Sequence, residues 1–82
     1  MFIRAPKELA LFVINERKKL KLSQAAVADL VGLKQQTISA FENKPESTKL
    51  DTLFRILSAV NVDMNLFSKN NSHKKGKWKQ VW

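Results

Sequence analysis

Four polar side chains lie two to seven positions after Gly32 and could form hydrogen bonds with the edges of DNA bases. They supply one ammonium, two amides and one hydroxyl at helical spacing: Lys34, Gln35, Gln36 and Ser39. The apolar residues Ile38 and Phe41 fall on the opposite face of the same segment. A glutamine can bond an adenine edge at two points, and a lysine can donate to guanine O6 and N7. This face is therefore typical of a helix that enters the major groove.

The run from Leu22 to Glu42 predicts the helix–turn–helix that would position this face. Ser23 is the expected N-cap of the first helix, because its hydroxyl can accept a hydrogen bond from a backbone N–H that has no partner within the helix. Gly32 is expected to end that helix, since a positive φ costs glycine least. The second helix should begin near Lys34 or Gln35. The apolar residues of the first helix share one face: Val27, Ala28 and Val31.

The pattern of the motif resembles the helix–turn–helix family of the lambdoid phage repressors and Cro, also called the XRE family, over about residues 9–60. The residues that carry the resemblance are Gln24, Ala28, Gly32, Ile38 and Glu42. It implies that Gln24 caps the first helix of the motif and touches a phosphate. It also implies that the loop after the second helix follows the DNA backbone, although a plain surface loop is the alternative. The expected DNA contacts are Gln24, Lys34, Gln35, Gln36, Thr37, Ser39, Asn43, Lys44 and Lys49.

Two further helices are predicted to complete a domain that is mainly α. The first should run from about Pro6 to Lys19, and its apolar stripe is interrupted by Arg17. The resemblance implies a structural ion pair between Arg17 and Glu42. The last helix should open with a capping box, Thr48 to Asp51, and end near Val60. Its expected core residues are Leu50, Leu53, Phe54, Ile56, Leu57 and Val60.

Residues 61–67 alternate apolar and polar side chains, which is a strand pattern and not a fifth helix. A lone strand has unpaired edges and needs a partner. The simplest partner is the same strand of a second copy, which predicts a homodimer with an intersubunit sheet; pairing with Phe2 and Ile3 is the alternative. The expected dimer strand consists of Val62, Asp63, Met64, Asn65 and Leu66.

This order of elements, ending in a short strand and a polar tail, is similar to the HipB antitoxins. The run from Gly32 to Leu57 carries the likeness. It implies a dimer that represses its own operon, and a HipA-like serine/threonine kinase toxin as partner. It further implies that a C-terminal tryptophan docks on the kinase, which makes Trp82, with Trp78 as the second candidate, a toxin-binding residue. The alternative is a stand-alone XRE-family repressor without a toxin partner.

The bulk composition fits one small domain, predicted to span residues 1–67, followed by a flexible basic tail over residues 68–82. The 82 residues carry a net charge of +8, which suits a phosphate backbone. RNA is the other nucleic acid that this charge would suit, but base-stacking aromatics are lacking outside the tail. The tail has five lysines and no acid, so it could instead clamp DNA.

Several other classes are not supported by the sequence. There is no cysteine and one histidine, His73, so no nucleophile–base pair, metal site or cofactor is expected. No apolar run approaches the roughly 20 residues that span a bilayer. We therefore expect no enzyme and no membrane association, and a cytoplasmic, nucleoid-associated protein.

Overall fold

The computed structural model describes residues 2–69, which form four α-helices and one short 3-10 helix. The α-helices are α1 (Pro6–Lys19), α2 (Gln24–Val31), α3 (Gln35–Asn43) and α4 (Leu50–Ala59), with the 3-10 helix at Pro45–Ser47. The mainly α architecture predicted from the sequence is confirmed, including both ends of α1.

The two ends of α2 have the local features that the sequence indicates. The Ser23 hydroxyl accepts the Ala26 N–H at 3.0 Å and so caps α2. Gly32 follows α2 with φ +69°, and the Leu33 N–H then donates to the Ala28 carbonyl at 2.9 Å. Three residues, Gly32 to Lys34, separate the two helices, and Lys34 occupies the N-cap position of α3.

The core is entirely apolar among the described residues, and it receives side chains from every α-helix. Helix α2 packs against α3 and α4, and α1 packs against α3 and the 3-10 helix. Removal of these side chains from water is the main force that holds the helices together. The buried residues are Ala10, Val13, Val27, Ala28, Ile38, Phe41, Ile56, Leu57 and Val60.

The start of α4 differs from the predicted capping box. Lys49 is the N-cap and makes no side-chain capping bond. Thr48 instead ends the 3-10 helix, and its N–H donates to the Pro45 carbonyl at 3.0 Å. Asp51 thereby becomes the second helical residue, one position too early for the reciprocal bond of a capping box. Its carboxylate lies 3.7 Å from Arg55 Nε.

Two predicted core residues of α4 are exposed, so this part of the prediction was wrong. Leu50 is 67% exposed and Phe54 is 51% exposed. Leu50 is the first residue of α4. Phe54 lies about 100° around the helix from Leu53, which packs against the core.

Helices α1 and α4 end in the same way, with a residue in the left-handed region that is not glycine. These residues are Lys21, with φ +59°, and Asn61, with φ +62°. In each case the next N–H reaches five residues back, which is the Schellman arrangement. The two bonds run from Leu22 to Arg17 at 3.2 Å and from Val62 to Leu57 at 2.9 Å.

The described part of the chain, residues 2–69, contains no β-strand, so the predicted dimer strand is not formed within it. Val62 packs against the core, whereas Met64 is 42% and Leu66 is 87% exposed. The alternative pairing with Phe2 and Ile3 is absent. A strand is defined by its pairing with another strand, and this structure contains one chain; the intersubunit sheet therefore stays a prediction.

Candidate nucleic-acid interface

The exposed face of α3 is set by the two side chains that anchor the helix. Ile38 and Phe41 are each about 1% exposed, which fixes the rotation of α3 against α2 and α1. The polar residues at its N-terminal end then face solvent: Lys34, Gln35 and Gln36 are exposed, and Thr37 and Ser39 are half-buried. The face predicted to read bases thus lies on the surface, with an ammonium and two amides at its tip.

A chain of side-chain hydrogen bonds ties this face to the rest of the fold. Glu42 Oε1 accepts from Gln24 Nε2 at 2.9 Å, and Gln24 Oε1 accepts from Gln35 Nε2 at 3.3 Å. Because a carboxylate only accepts hydrogen bonds, Glu42 orients the Gln24 amide, which in turn orients the Gln35 amide. Gln35 keeps its carbonyl oxygen and one N–H for another partner. We call Arg17, Glu42, Gln24 and Gln35 the polar relay.

Arg17 is half-buried and forms the end of the polar relay that is opposite Gln35. Its Nε donates to Glu42 Oε2 at 2.8 Å and its Nη2 donates to Glu42 Oε1 at 3.2 Å. Its Nη1 donates to the Leu22 carbonyl at 2.9 Å, in the turn between α1 and α2. The ion pair that the family resemblance implies is therefore present, and it joins α1, the α1–α2 turn and the C-terminal end of α3.

The structure gives Gln24 a different position from the one that the resemblance implies. Ser23 is the N-cap of α2, and Gln24 is the first helical residue. The side chain of Gln24 links Glu42 to Gln35 instead of capping the helix. One N–H of its amide remains for a phosphate, because a primary amide carries two donors.

The remaining predicted contacts lie at the C-terminal end of α3 and after it. Asn43 Nδ2 donates to the Ser39 carbonyl at 2.9 Å and to Ser39 Oγ at 3.2 Å. Lys44 and Lys49 are exposed on either side of the 3-10 helix. The predicted contacts therefore run from the N-terminal end of α2 along α3 into the loop before α4.

Sequence reasoning missed a carboxylate beside this face. Asp29 is exposed on α2 and borders a shallow, open cleft between α2 and α3. The other residues that line the cleft are Ala25, Ala28, Leu33, Lys34, Gln35 and Gln36. In the sequence Asp29 directly follows the buried Ala28, but only the tertiary structure places it in the same cleft as Lys34.

Two features that indicate other functions are absent from residues 2–69. Residues 2–69 contain no group of three His, Asp or Glu side chains that could hold a metal ion. Within the same residues, no helix is both long and apolar enough to cross a membrane. The tail tryptophans, Trp78 and Trp82, and His73 lie outside the described residues.

Comparison with known proteins places the chain in a family. A helix-turn-helix family model matches residues 13–67. The antitoxin HipB of Escherichia coli strain K12 is 37% identical over 70 residues, which are 85% of this chain and 80% of HipB. The chain belongs to the HipB family of helix-turn-helix antitoxins. The family predicted from the motif residues is thereby confirmed.

Solved structures of HipB have the same fold as this HipB-family chain. A chain of a HipA-HipB-O2-O3 complex aligns with a TM-score of 0.82 and 36% identity, over 85% of this chain and 99% of that one. A HipB-O4 20mer complex aligns with a TM-score of 0.81 at the same identity and coverage. The agreement extends over nearly the whole of each HipB chain.

Proposed function

We propose that this chain is an antitoxin and transcriptional autorepressor that binds palindromic operator DNA as a homodimer and neutralises a HipA-like serine/threonine kinase toxin. The observation that carries the DNA-binding part is the exposed tip of α3, where Lys34, Gln35 and Gln36 stand on a helix anchored by Ile38 and Phe41. A helix presented in this way can enter the major groove, and its amides and ammonium match base edges.

The proposed contacts divide into base readers and phosphate contacts. Gln35 and Gln36 would read bases, with Lys34 and Ser39 beside them and Thr37 at the edge of the face. Asn43, Lys44 and Lys49 would follow the backbone of the DNA. Gln24 would use its remaining N–H on a phosphate, while its other N–H stays on Glu42. Such phosphate contacts set the register on the duplex without reading sequence.

A second copy of the chain would supply the second recognition helix that a palindromic site needs. In this proposal the segment Val62, Asp63, Met64, Asn65 and Leu66 pairs with its copy in the partner. Met64 and Leu66, which are exposed in the single chain, would then lie on one face of the two-stranded sheet and be covered within the dimer. The core formed by residues 2–69 contains nine buried residues, which is small, and a dimer would add apolar burial to it.

The toxin partner is supported by the assembly of the relatives. One solved relative is a HipA-HipB-O2-O3 complex. A partner similar to HipA is therefore the natural candidate for this chain, with Trp78 and Trp82 as the anchors that dock on it. The sequence of residues 68–82 has five lysines and no acid, so the docking surface should be acidic. A repressor that acts on operator DNA would be located in the cytoplasm, in association with the nucleoid.

Footprinting on the DNA upstream of the gene tests the repressor function. The comparison is the wild type against Gln35→Ala plus Gln36→Ala, across a salt titration. A palindromic footprint that disappears in the variant while non-specific binding remains supports direct readout by α3. Asn15→Ala is the matched control, because it removes an exposed amide from α1 and should leave the footprint intact. Equal weak binding of all DNA by both proteins would rule out the repressor.

The antitoxin function needs a separate test with a HipA-like kinase as the binding partner. Trp78→Ala plus Trp82→Ala in the full chain should weaken kinase binding and leave the footprint unchanged. A stand-alone repressor predicts no kinase binding by the wild type. If the double variant loses DNA binding to the same extent, the tail is a DNA clamp and the tryptophan docking is wrong.

A further inference from the structure

The turn between α1 and α2 contains a lysine in a backbone conformation that favours glycine. Lys21 has φ +59°, where the Cβ of an L-residue crowds the backbone and glycine does not. Its side chain is exposed, and within residues 2–69 no carboxylate lies at ion-pair distance from it. Lysine therefore raises the energy of this turn and makes no compensating ion pair in the described part of the protein.

Residues 2–69 contain two other left-handed positions, and both are occupied by more tolerant residues. Gly32 ends α2, and Asn61 ends α4. Both hydrogen bonds of the α1 cap are made by backbone atoms, so glycine at position 21 would form them equally well. The last turn of α1 already has three basic residues to offset the helix dipole, namely Arg17, Lys18 and Lys19. The fold itself gives no reason for a lysine at position 21.

The polar relay connects the backbone next to this lysine with α3. The carbonyl of Leu22, the next residue, accepts from Arg17 Nη1 at 2.9 Å, and Arg17 binds Glu42 at 2.8 Å. Three peptide units separate Lys21 from Gln24, so their Cα atoms lie within about 11 Å. Gln24 itself bonds Gln35 at the tip of α3. Lys21 therefore lies within about 11 Å of Gln24, which the proposed function places at a phosphate.

We infer that Lys21 binds a backbone phosphate of duplex DNA, on the strand that flanks the groove entered by α3. A major groove is about 12 Å wide, so phosphates border a helix seated in it on both sides. The contact is an ammonium–phosphate pair, which adds affinity independently of sequence. This inference rests on the proposed function, and it adds a contact at the α1–α2 turn to those on α2, on α3 and in the following loop.

The test measures how binding to duplex DNA depends on salt. The probe is a labelled, mixed-sequence duplex of about 20 base pairs, long enough for two half-sites one helical turn apart. The full-length wild type is compared with Lys21→Gly, which removes the charge and relieves the backbone, and with Lys21→Arg, which keeps the charge. Asn61→Gly is the matched control, because it relieves a left-handed residue away from the relay and removes no charge. Urea unfolding of each protein reports the fold.

The expected result separates charge from conformation. Lys21→Gly should raise the urea midpoint, yet flatten the plot of log K against log[salt] by about 0.9 for each chain on the DNA, or about 1.8 for a dimer. Lys21→Arg should keep the wild-type slope, and Asn61→Gly should change only the midpoint. An unchanged slope in Lys21→Gly would overturn the inference. If the wild type does not bind the duplex at all, the proposed DNA-binding function fails too. An unchanged slope with intact wild-type binding would overturn only the inference about Lys21.

Discussion

The guanidinium of Arg17 and the carboxylate of Glu42 meet through two hydrogen bonds, Nε to Oε2 at 2.8 Å and Nη2 to Oε1 at 3.2 Å. Their side chains are 13% and 7% exposed, so the pair is largely shielded from water. Glu42 also accepts from Gln24, and Arg17 also donates to the Leu22 carbonyl. One ion pair therefore holds α1, the following turn, the start of α2 and the end of α3 in register.

Replacement of Glu42 by alanine should lower the free energy of unfolding by about 3–5 kcal/mol, because it leaves the Arg17 charge shielded from water without its partner. Urea denaturation measures this loss. The double variant Arg17→Met plus Glu42→Ala should lose much less than the sum of the losses of Arg17→Met and Glu42→Ala, since no unpaired charge remains. Additive losses in that double-mutant cycle would contradict a coupled pair.

The link from Glu42 to Gln24 can be tested by a change of one side-chain group. Gln24→Glu places a second carboxylate where an N–H now lies 2.9 Å from Glu42 Oε1. The lost hydrogen bond and the like-charge repulsion should lower stability by about 1–3 kcal/mol. Gln36→Glu is the control for stability, because Gln36 is exposed and belongs to no described hydrogen bond; its effect should stay within about 0.5 kcal/mol. Equal unfolding curves for both variants would disprove the link.

The sequence predicts the helices well because their signals are local. Pro6 at the start of α1, the Ser23 cap and the Gly32 turn each depend on residues within a few positions, and the structure has all three. The Arg17–Glu42 pair came from family resemblance, since spacing alone cannot join residues 25 positions apart.

The errors arise where neighbouring elements compete for the same residues. Thr48 has the right spacing for a capping box, but the preceding 3-10 helix takes its N–H and moves the start of α4. Phe54 has helical spacing with the core residues, yet a rotation of about 100° from Leu53 leaves it half exposed. The polar relay through Gln24 joins three helices, so it becomes visible only when their packing is known.

Two hydroxyl residues that precede helices should respond differently to truncation. Ser23→Ala removes the acceptor of the Ala26 N–H and should lower the free energy of unfolding by about 1 kcal/mol. Thr48→Ala removes a hydroxyl that makes no capping bond to α4, and should change stability by no more than about 0.5 kcal/mol. Urea midpoints of the two variants provide the comparison. A larger loss for Thr48→Ala than for Ser23→Ala would indicate that Thr48 caps α4 after all, in contradiction to the structure.

Gly32→Ala tests whether the α2–α3 turn depends on conformation alone. A Cβ built at Gly32 meets no atom within 4 Å, so the substitution causes no clash. The cost is that of an L-residue at φ +69°, about 1–2 kcal/mol, and it is reduced by the smaller entropy of the unfolded alanine chain. Thermal or urea unfolding should therefore show a loss near 1 kcal/mol, and Gly32→Asn should lose less, because asparagine tolerates the left-handed region. A loss above about 3 kcal/mol would require a steric contact that the turn does not have, and no loss at all would mean that α3 can start from a different turn.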